Sequence, residues 1–249
     1  MSDEKWTVTF IVFRKKDEQP VRYDTFTLEV SPNEYVLDAV ERIWAFHDRS
    51  LVFAHACHHS TCGACGMRVN GVERLTCITP IREVTRNGGT VRVEPLRNFP
   101  VVSDLAVDMS RLYQAMDVVH AQAVHPLDAA PLEGDGIRPP RQVPQPEEEG
   151  EFLRLADCIE CGLCVSACPV AGTDPAYLGP AALAGAQLQS IARNPDLLSV
   201  VDCAEGVWRC HSAYECTAVC PSNVQPGWRI MDLRRQVVAQ RIKALLGQR

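Results

Sequence analysis

The 249-residue sequence contains no run of the 18 or so apolar residues that a membrane-spanning helix requires. Its longest apolar stretch, Ala176 to Ala186, is broken by Pro180, so any membrane association is expected to come through partners. The segment Met1-Ser2-Asp3-Glu4-Lys5 has neither the basic start nor the apolar run of a secretory signal, which leads us to expect reduced thiols. Positive charge is also scarce: 25 Lys and Arg against 31 Asp and Glu give a net charge of −6, with no basic face for nucleic acid. Glycine (15) and proline (17) show no excess, which excludes collagen-like and low-complexity classes. No glycine-rich dinucleotide loop and no nucleophile constellation can be recognised, so bond-making chemistry is not expected of this chain.

Two things are plentiful. A hydrophobic content of 46% suits one large or two medium domains, and there are 12 cysteines. Twelve are too dilute for a disulfide miniprotein, and in a reducing compartment clustered cysteines mean metal or catalysis. They fall into three sets: Cys57, Cys62, Cys65, Cys77; then Cys158, Cys161, Cys164, Cys168; then Cys203, Cys210, Cys216, Cys220. A gap of 80 residues follows the first set, and within it His125 to Gly150 carries six prolines and the run Glu147-Glu148-Glu149. Such a stretch reads as an extended connector without a core. The expected division is therefore a first domain over 1–110, a Pro-rich connector over 111–149 and a second domain over 150–249.

In the first domain, Trp6 to Val12 and Tyr23 to Val30 are rich in β-formers and predict a hairpin. Ser31-Pro32-Asn33-Glu34 reads as a capping box with proline at the first helical position, ahead of Val36, Leu37, Val40, Ile43 and Trp44 at helical spacing. Thr90 to Glu94 predicts a closing strand, which completes a small mixed α/β sheet. The second domain lacks alternation and shows helical spacing, clearest at Ile230, Leu233, Val237, Ile242, Leu245 and Leu246, so it is expected to be mainly helical. Its last 23 residues hold six Lys or Arg against the single acid Asp232. This reads first as a solvated helix face, with an acidic partner or an anionic membrane surface as the alternative.

Cys57-His-His-Ser-Thr-Cys62-Gly-Ala-Cys65 has the C-x4-C-x2-C spacing of plant-type two-iron clusters, with Cys77 as a fourth thiolate. Three ligands within nine residues must wrap a compact anionic core, and Gly63 and Gly66 let the backbone pass close to it. A four-cysteine zinc site normally uses two C-x2-4-C pairs, and only Cys62 and Cys65 form one here. A Rieske centre replaces two cysteines by histidine, whereas all four are present, so His58 and His59 are expected to be solvated loop residues.

Cys158-Ile-Glu-Cys161-Gly-Leu-Cys164-Val-Ser-Ala-Cys168-Pro169 matches the C-x2-C-x2-C-x3-C-P run of bacterial ferredoxins, in which the fourth cysteine ligates the other cluster. The partner run, Cys210-His-Ser-Ala213-Tyr-Glu-Cys216-Thr-Ala-Val-Cys220-Pro221, has alanine at its second ligand position. Exchanging the fourth ligands gives Cys158, Cys161, Cys164 and Cys220 for a 4Fe-4S cluster and leaves Cys168, Cys210 and Cys216. Three thiolates without a fourth imply a 3Fe-4S cluster, with water or a foreign ligand at a fourth iron as the alternative. Cys203 lies outside both runs and reads as a buried structural thiol.

Together these motifs resemble the iron-sulfur subunit of succinate dehydrogenase and fumarate reductase. Phe99 to Met109 is similar to that family's joining segment, and Arg209-Cys210-His211-Ser212 to its R-C-H-S stretch. The resemblance implies an α+β chain, with an N-terminal β-grasp ferredoxin domain followed by an α-helical ferredoxin domain. It implies a relay from the FAD of a separate dehydrogenase subunit, through 2Fe-2S, 4Fe-4S and 3Fe-4S clusters, to quinone at membrane-anchor subunits on the cytoplasmic side of the inner membrane. His211, beside a ligand of the third cluster, is the candidate quinone-proximal residue. The sequence departs from many quinone-linked relatives after Cys168-Pro169, where Val170-Ala171 replaces a Trp pair, and after Cys220-Pro221, where Ser222-Asn223 replaces Lys-Gly. A zinc-scaffolded binding module is the rival reading from another class, and it would be colourless and redox-silent.

Overall fold

The structure, a computed structural model, describes residues 4–119, 158–189 and 196–247. The expected hairpin is present as β1 (Trp6–Arg14) and β2 (Arg22–Val30), paired antiparallel from Trp6 opposite Val30 to Arg14 opposite Arg22. The closing strand is β5 (Thr90–Glu94), which runs parallel to β1. Two strands of this sheet were not anticipated: β3 (Gly66–Val69) and β4 (Val72–Leu75), joined across Asn70 and Gly71 at φ 51° and 86°. Positive φ at both central residues is the primed hairpin turn that Asn-Gly favours. The sheet order is β2-β1-β5-β3-β4. Alternate residues Val8, Phe10, Val12, Val91, Val93, Met67 and Val69 face a core closed by Val36, Ala39, Val40 and Ile43 of helix α1 (Val36–Phe46).

Helix α1 begins later than the Ser31 capping box suggests. Glu34 does reach back to the Ser31 N–H at 3.1 Å, but Pro32 to Glu34 are held in a turn by the segment after Cys77. Ile81 N–H donates to Glu34 O, Arg82 N–H to Pro32 O, and Val36 N–H to Thr79 O. These bonds keep the chain out of the helix until Val36, and Asp38 caps the start by accepting the Tyr35 N–H at 3.0 Å. The same bonds tether residues 79–82, and with them the neighbourhood of Cys77, to α1.

After α2 (Ile81–Val84), β5 and the short pair β6 (Val101–Ser103) and β7 (Ala106–Val107), the chain enters helix α3 (Ser110–Val118). The first residues of the span expected as connector, 111–118, are thus helical. Leu112 and Met116 are buried in the same hydrophobic cluster as Leu163, Leu183, Ile230 and Leu233, so α3 is part of the second core. Residues 120–157, most of the proposed connector, lie outside the described residues.

The second part is helical, as expected: α4 (Leu163–Ala167), α5 (Pro180–Gln189), α6 (Asp196–Val201), α7 (Glu215–Ala218) and α8 (Pro226–Leu245). Helix α8 packs along α5 through Ile230, Leu233 and Val237. Ile242, Leu245 and Leu246 continue the spacing but are 50%, 86% and 68% exposed, because α8 extends past the body it packs on. Its basic residues are not simply a solvated face. Arg229 donates to Val224 O and Gln187, Arg234 to Val207 O and Cys210 O, and Arg241 to Asp202.

The two parts share one hydrophobic cluster that includes Leu37, Leu75, Leu96 and Phe99 from the first and Leu163, Val165 and Val170 from the second. Polar contacts fix their register. Asn98 Nδ2 faces the carbonyls of Val165, Ser166 and Cys168 at 2.8, 3.0 and 2.9 Å. The buried Ser166 hydroxyl donates to Glu73 at 2.9 Å and accepts the Arg97 N–H at 2.8 Å.

Candidate metal centres

All twelve cysteines are free thiols. The first four converge on one site. Cys65 and Cys77 are buried, Cys57 half-buried and Cys62 exposed, so the site is seated in the β-sheet domain on one side and open on the other. Cys65 stands just before β3 and Cys77 just after β4, and the hairpin between them sets their separation. The segment leading to Cys57 is held by Asp104, fully buried, whose carboxylate accepts the Val52 and Lys15 N–H groups at 3.0 Å each. Asp104 in turn pairs with Arg14, also fully buried, at 3.2 Å.

The donor chemistry fits an anionic iron–sulfur core. Cys57 Sγ accepts N–H groups from His59 at 3.5 Å and from Thr61 and Cys62 at 3.3 Å, and Ser60 N–H donates to Cys77 Sγ at 3.4 Å. These backbone donors lower the Cys57 pKa to about 6, the His59 N–H contributing most. His58, Ser60 and Gly63, at φ 60°, 60° and 71°, turn the amides inward. Burial acts oppositely on Cys77 and pushes it up to about 12, so that thiol holds charge only against a cation.

In the second part the thiols divide around two cavities. Cys158, Cys161, Cys164 and Cys220 line one, with Leu112, Ala181 and Ala184. Cys168, Cys210 and Cys216 line the other, with Ala213, His211 and Tyr177. Each run thus sends its fourth cysteine to the neighbouring site. Cys164 feels the charge of Cys216 as well as its own group, so the two sites adjoin. Burial pushes Cys161 and Cys216 up to about 12.

The two runs are built alike. Glu160 and Gly162 flank Cys161 at φ 52° and 74°; Ser212 and Tyr214 flank Ala213 at 56° and 60°. Gly162 and Tyr214 then cap α4 and α7. Ala213 therefore occupies the backbone position of Cys161, with a methyl group in place of the thiol. Val224 N–H donates to Cys220 Sγ at 3.3 Å and Ser212 N–H to Cys210 Sγ at 3.4 Å.

His211 lines the third site and is exposed. Cys203 is half-buried, more open than expected, and its thiol donates to Val200 O at 3.3 Å. Sequence reasoning missed Tyr177, which is 3% exposed and faces Cys210, Cys168 and Cys216; its pKa is raised, by burial first. It also missed the aromatic pair Tyr214 and Trp228, with ring centroids 4.7 Å apart beside Ala213.

The matching family models are a 2Fe-2S iron-sulfur cluster binding domain over residues 9–114 and a 4Fe-4S dicluster domain over 154–224. Fold and site together define an iron–sulfur electron carrier of the ferredoxin type, with clusters as its cofactors. Over 238 residues the chain is 33% identical to the fumarate reductase iron-sulfur subunit of Mycobacterium tuberculosis (strain CDC 1551 / Oshkosh), covering 94% of this chain and 93% of the relative. It is 28% identical over 243 residues to the succinate dehydrogenase iron-sulfur subunit of Coxiella burnetii, covering 94% and 98%. The fold is shared with a chain of the Mycobacterium smegmatis Sdh1 complex in the apo form, at TM-score 0.77 and 24% identity over 95% of this chain and 98% of that one. The chain belongs to the iron–sulfur subunits of fumarate reductase and succinate dehydrogenase, and its role is electron relay within such an oxidoreductase. Among the described residues no helix is long and apolar enough to cross a membrane.

Proposed function

We propose that Cys57, Cys62, Cys65 and Cys77 hold the 2Fe-2S cluster, Cys158, Cys161, Cys164 and Cys220 the 4Fe-4S cluster, and Cys168, Cys210 and Cys216 the 3Fe-4S cluster. The observation that carries this reading is the division of seven of the eight C-terminal thiols, all but Cys203, into four and three around two cavities, with Ala213 where a fourth would stand. When bound, the clusters supply one-electron steps between the flavin of a separate dehydrogenase subunit and quinone at membrane-anchor subunits on the cytoplasmic side of the membrane. The open edge at Cys57 and Cys62 faces the flavoprotein, and the edge at Ala213 faces the anchor. Trp228, 58% exposed and packed on Tyr214 next to Ala213, supports an apolar partner at that second edge, since large aromatics are favoured in the buried centre of interfaces.

The chain's own residues position and tune. Backbone N–H groups at Cys57, Cys77, Cys210 and Cys220 donate to sulfur and favour the thiolate. Arg111 donates to Ala171 O, Asp174 O and Tyr177 O, holding the loop that follows Cys168. His211 is the quinone-proximal residue of this reading. Succinate oxidation runs from the Cys57 edge to the Ala213 edge, and fumarate reduction runs along the same groups in reverse. A potentiometric EPR titration of the intact, anaerobically purified assembly tests it: three distinct cluster signals are expected. Zinc in place of iron and acid-labile sulfide would overturn the assignment.

A further inference from the structure

Outside the cysteine sets, three side chains bring metal-binding atoms to one point. Glu41 Oε1 lies 3.0 Å from His55 Nδ1 and 3.1 Å from His58 Nε2, and those two nitrogens are 3.2 Å apart. Among the described residues this is the one group of histidine, cysteine and carboxylate ligands that meets so closely outside the thiol sites. Glu41 projects from α1, while His55 and His58 come from the loop that enters the first cysteine set. Phe53 stacks on His55 with centroids 5.0 Å apart and planes 21° apart, and His55 meets His58 edge to face at 89°. The packing fixes both rings.

An ordinary carboxylate–histidine pair would align an N–H on the oxygen. Here neither ring does so: Glu41 Oε1 is shielded from solvent and has no hydrogen-bond partner, although both nitrogens are within 3.1 Å. An acceptor buried unpaired costs about 1–3 kcal/mol, and a cation seated above the face of the triangle, bonded to all three donors, removes that cost. The nearly equal edges also suit a common ion. Bonds of about 2.0–2.1 Å to a tetrahedral zinc ion place neighbouring donors roughly 3.3 Å apart. In the chain by itself His55 and His58 are 39% and 41% exposed, so water reaches the remaining position there.

We propose that Glu41, His55 and His58 form a binding site for a divalent transition ion of the zinc class, completed by water. Two neutral imidazoles and one carboxylate leave the bound ion with net positive charge next to Cys57, whose neighbour His58 is held at φ 60°. The ion ties the loop of the first cysteine set to α1 and adds positive charge beside it. His58 is exposed, as expected of a solvated loop residue, and in addition meets Glu41 and His55; His59 is exposed and outside the triangle.

The test uses the cluster-loaded chain in its intact complex, treated with a chelator and dialysed anaerobically against zinc chloride, with iron, sulfide and zinc all counted. In the wild-type complex one zinc per chain beyond the chelator-treated background is expected, with iron and sulfide unchanged and the potential of the 2Fe-2S signal moved upward by zinc. In Glu41→Gln and in His55→Gln, zinc affinity should fall by about tenfold or more with iron retained. Two variants guard against one that fails to load. Wild-type complex that takes up no zinc, or variants that bind it as tightly as wild type, would overturn the proposal. Neither outcome touches the cysteine assignments, which are read from iron content and EPR.

Discussion

Gly63 lies directly against Cys161, so the loop of the first cysteine set touches the loop of the second. A β-carbon on Gly63 would stand 2.9 Å from the Cys161 α-carbon and 2.8 Å from Ile159 O, and Gly63 holds φ 71°. A β-carbon on Gly66 would make a second close approach, 3.2 Å from Cys161 O. Electron transfer between two centres needs them near each other, and this backbone contact brings the two cysteine loops together.

Gly63→Ala should therefore push the two loops apart. Overpacking of a tight contact costs about 1–3 kcal/mol, and the φ adds to it. We expect a lower Tm together with slower reoxidation of the 2Fe-2S signal through the 4Fe-4S centre, followed by rapid-freeze EPR. An unchanged transfer rate would show that this contact is not the path.

Ala213→Cys restores a thiol at the position equivalent to Cys161. The three-iron EPR signal should be converted toward a four-iron one, with iron per chain rising by one. Retention of the original spectrum with a reactive new thiol would count against the ligand exchange proposed above.

Asn98 faces three carbonyls at the C-terminal end of α4. Asn98→Ala leaves them without that donor, at a cost of about 1–3 kcal/mol. Faster hydrogen exchange is expected across Val165 to Cys168, measured by mass spectrometry, with the first-domain sheet unaffected.

The charged group around Arg14 gives a pH dependence. Hydrogen bonds from Ser50, then from Arg14, hold the Asp48 carboxyl well below the usual carboxylate range. A depressed folded pKa contributes stability that is present above the unfolded value of about 3.9 and is lost as pH falls below it. Thermal melts should be flat in this respect near neutrality and decline below about pH 4, less steeply in Asp48→Asn. Arg14→Leu removes the partner of fully buried Asp104 and should cost about 3–5 kcal/mol at neutral pH. Melts that match wild type would rule out a structural role for the pair.

Much of the site was legible because ligand spacing is local. The C-x4-C-x2-C and C-x2-C-x2-C-x3-C-P runs are short enough that geometry follows from sequence distance, and Ala213 is visible as a gap in the second. Strands β1, β2 and β5 were legible from alternation. The β3–β4 hairpin carries its signal in Asn70-Gly71, a turn pair set between two cysteines. Cys203 is more open than its place in the sequence suggests, because burial depends on what folds against a residue, which no local pattern records.

By itself, the sequence determined the chemistry: how many thiols, in what groups, with which one missing. Tertiary structure decided adjacency. The contact of Gly63 with Cys161, the clamp of Asn98 on α4 and the meeting of Glu41 with His55 and His58 join segments from separate elements. Such juxtapositions arise when apolar faces are buried together, a collective result of packing that residue spacing along one chain does not encode.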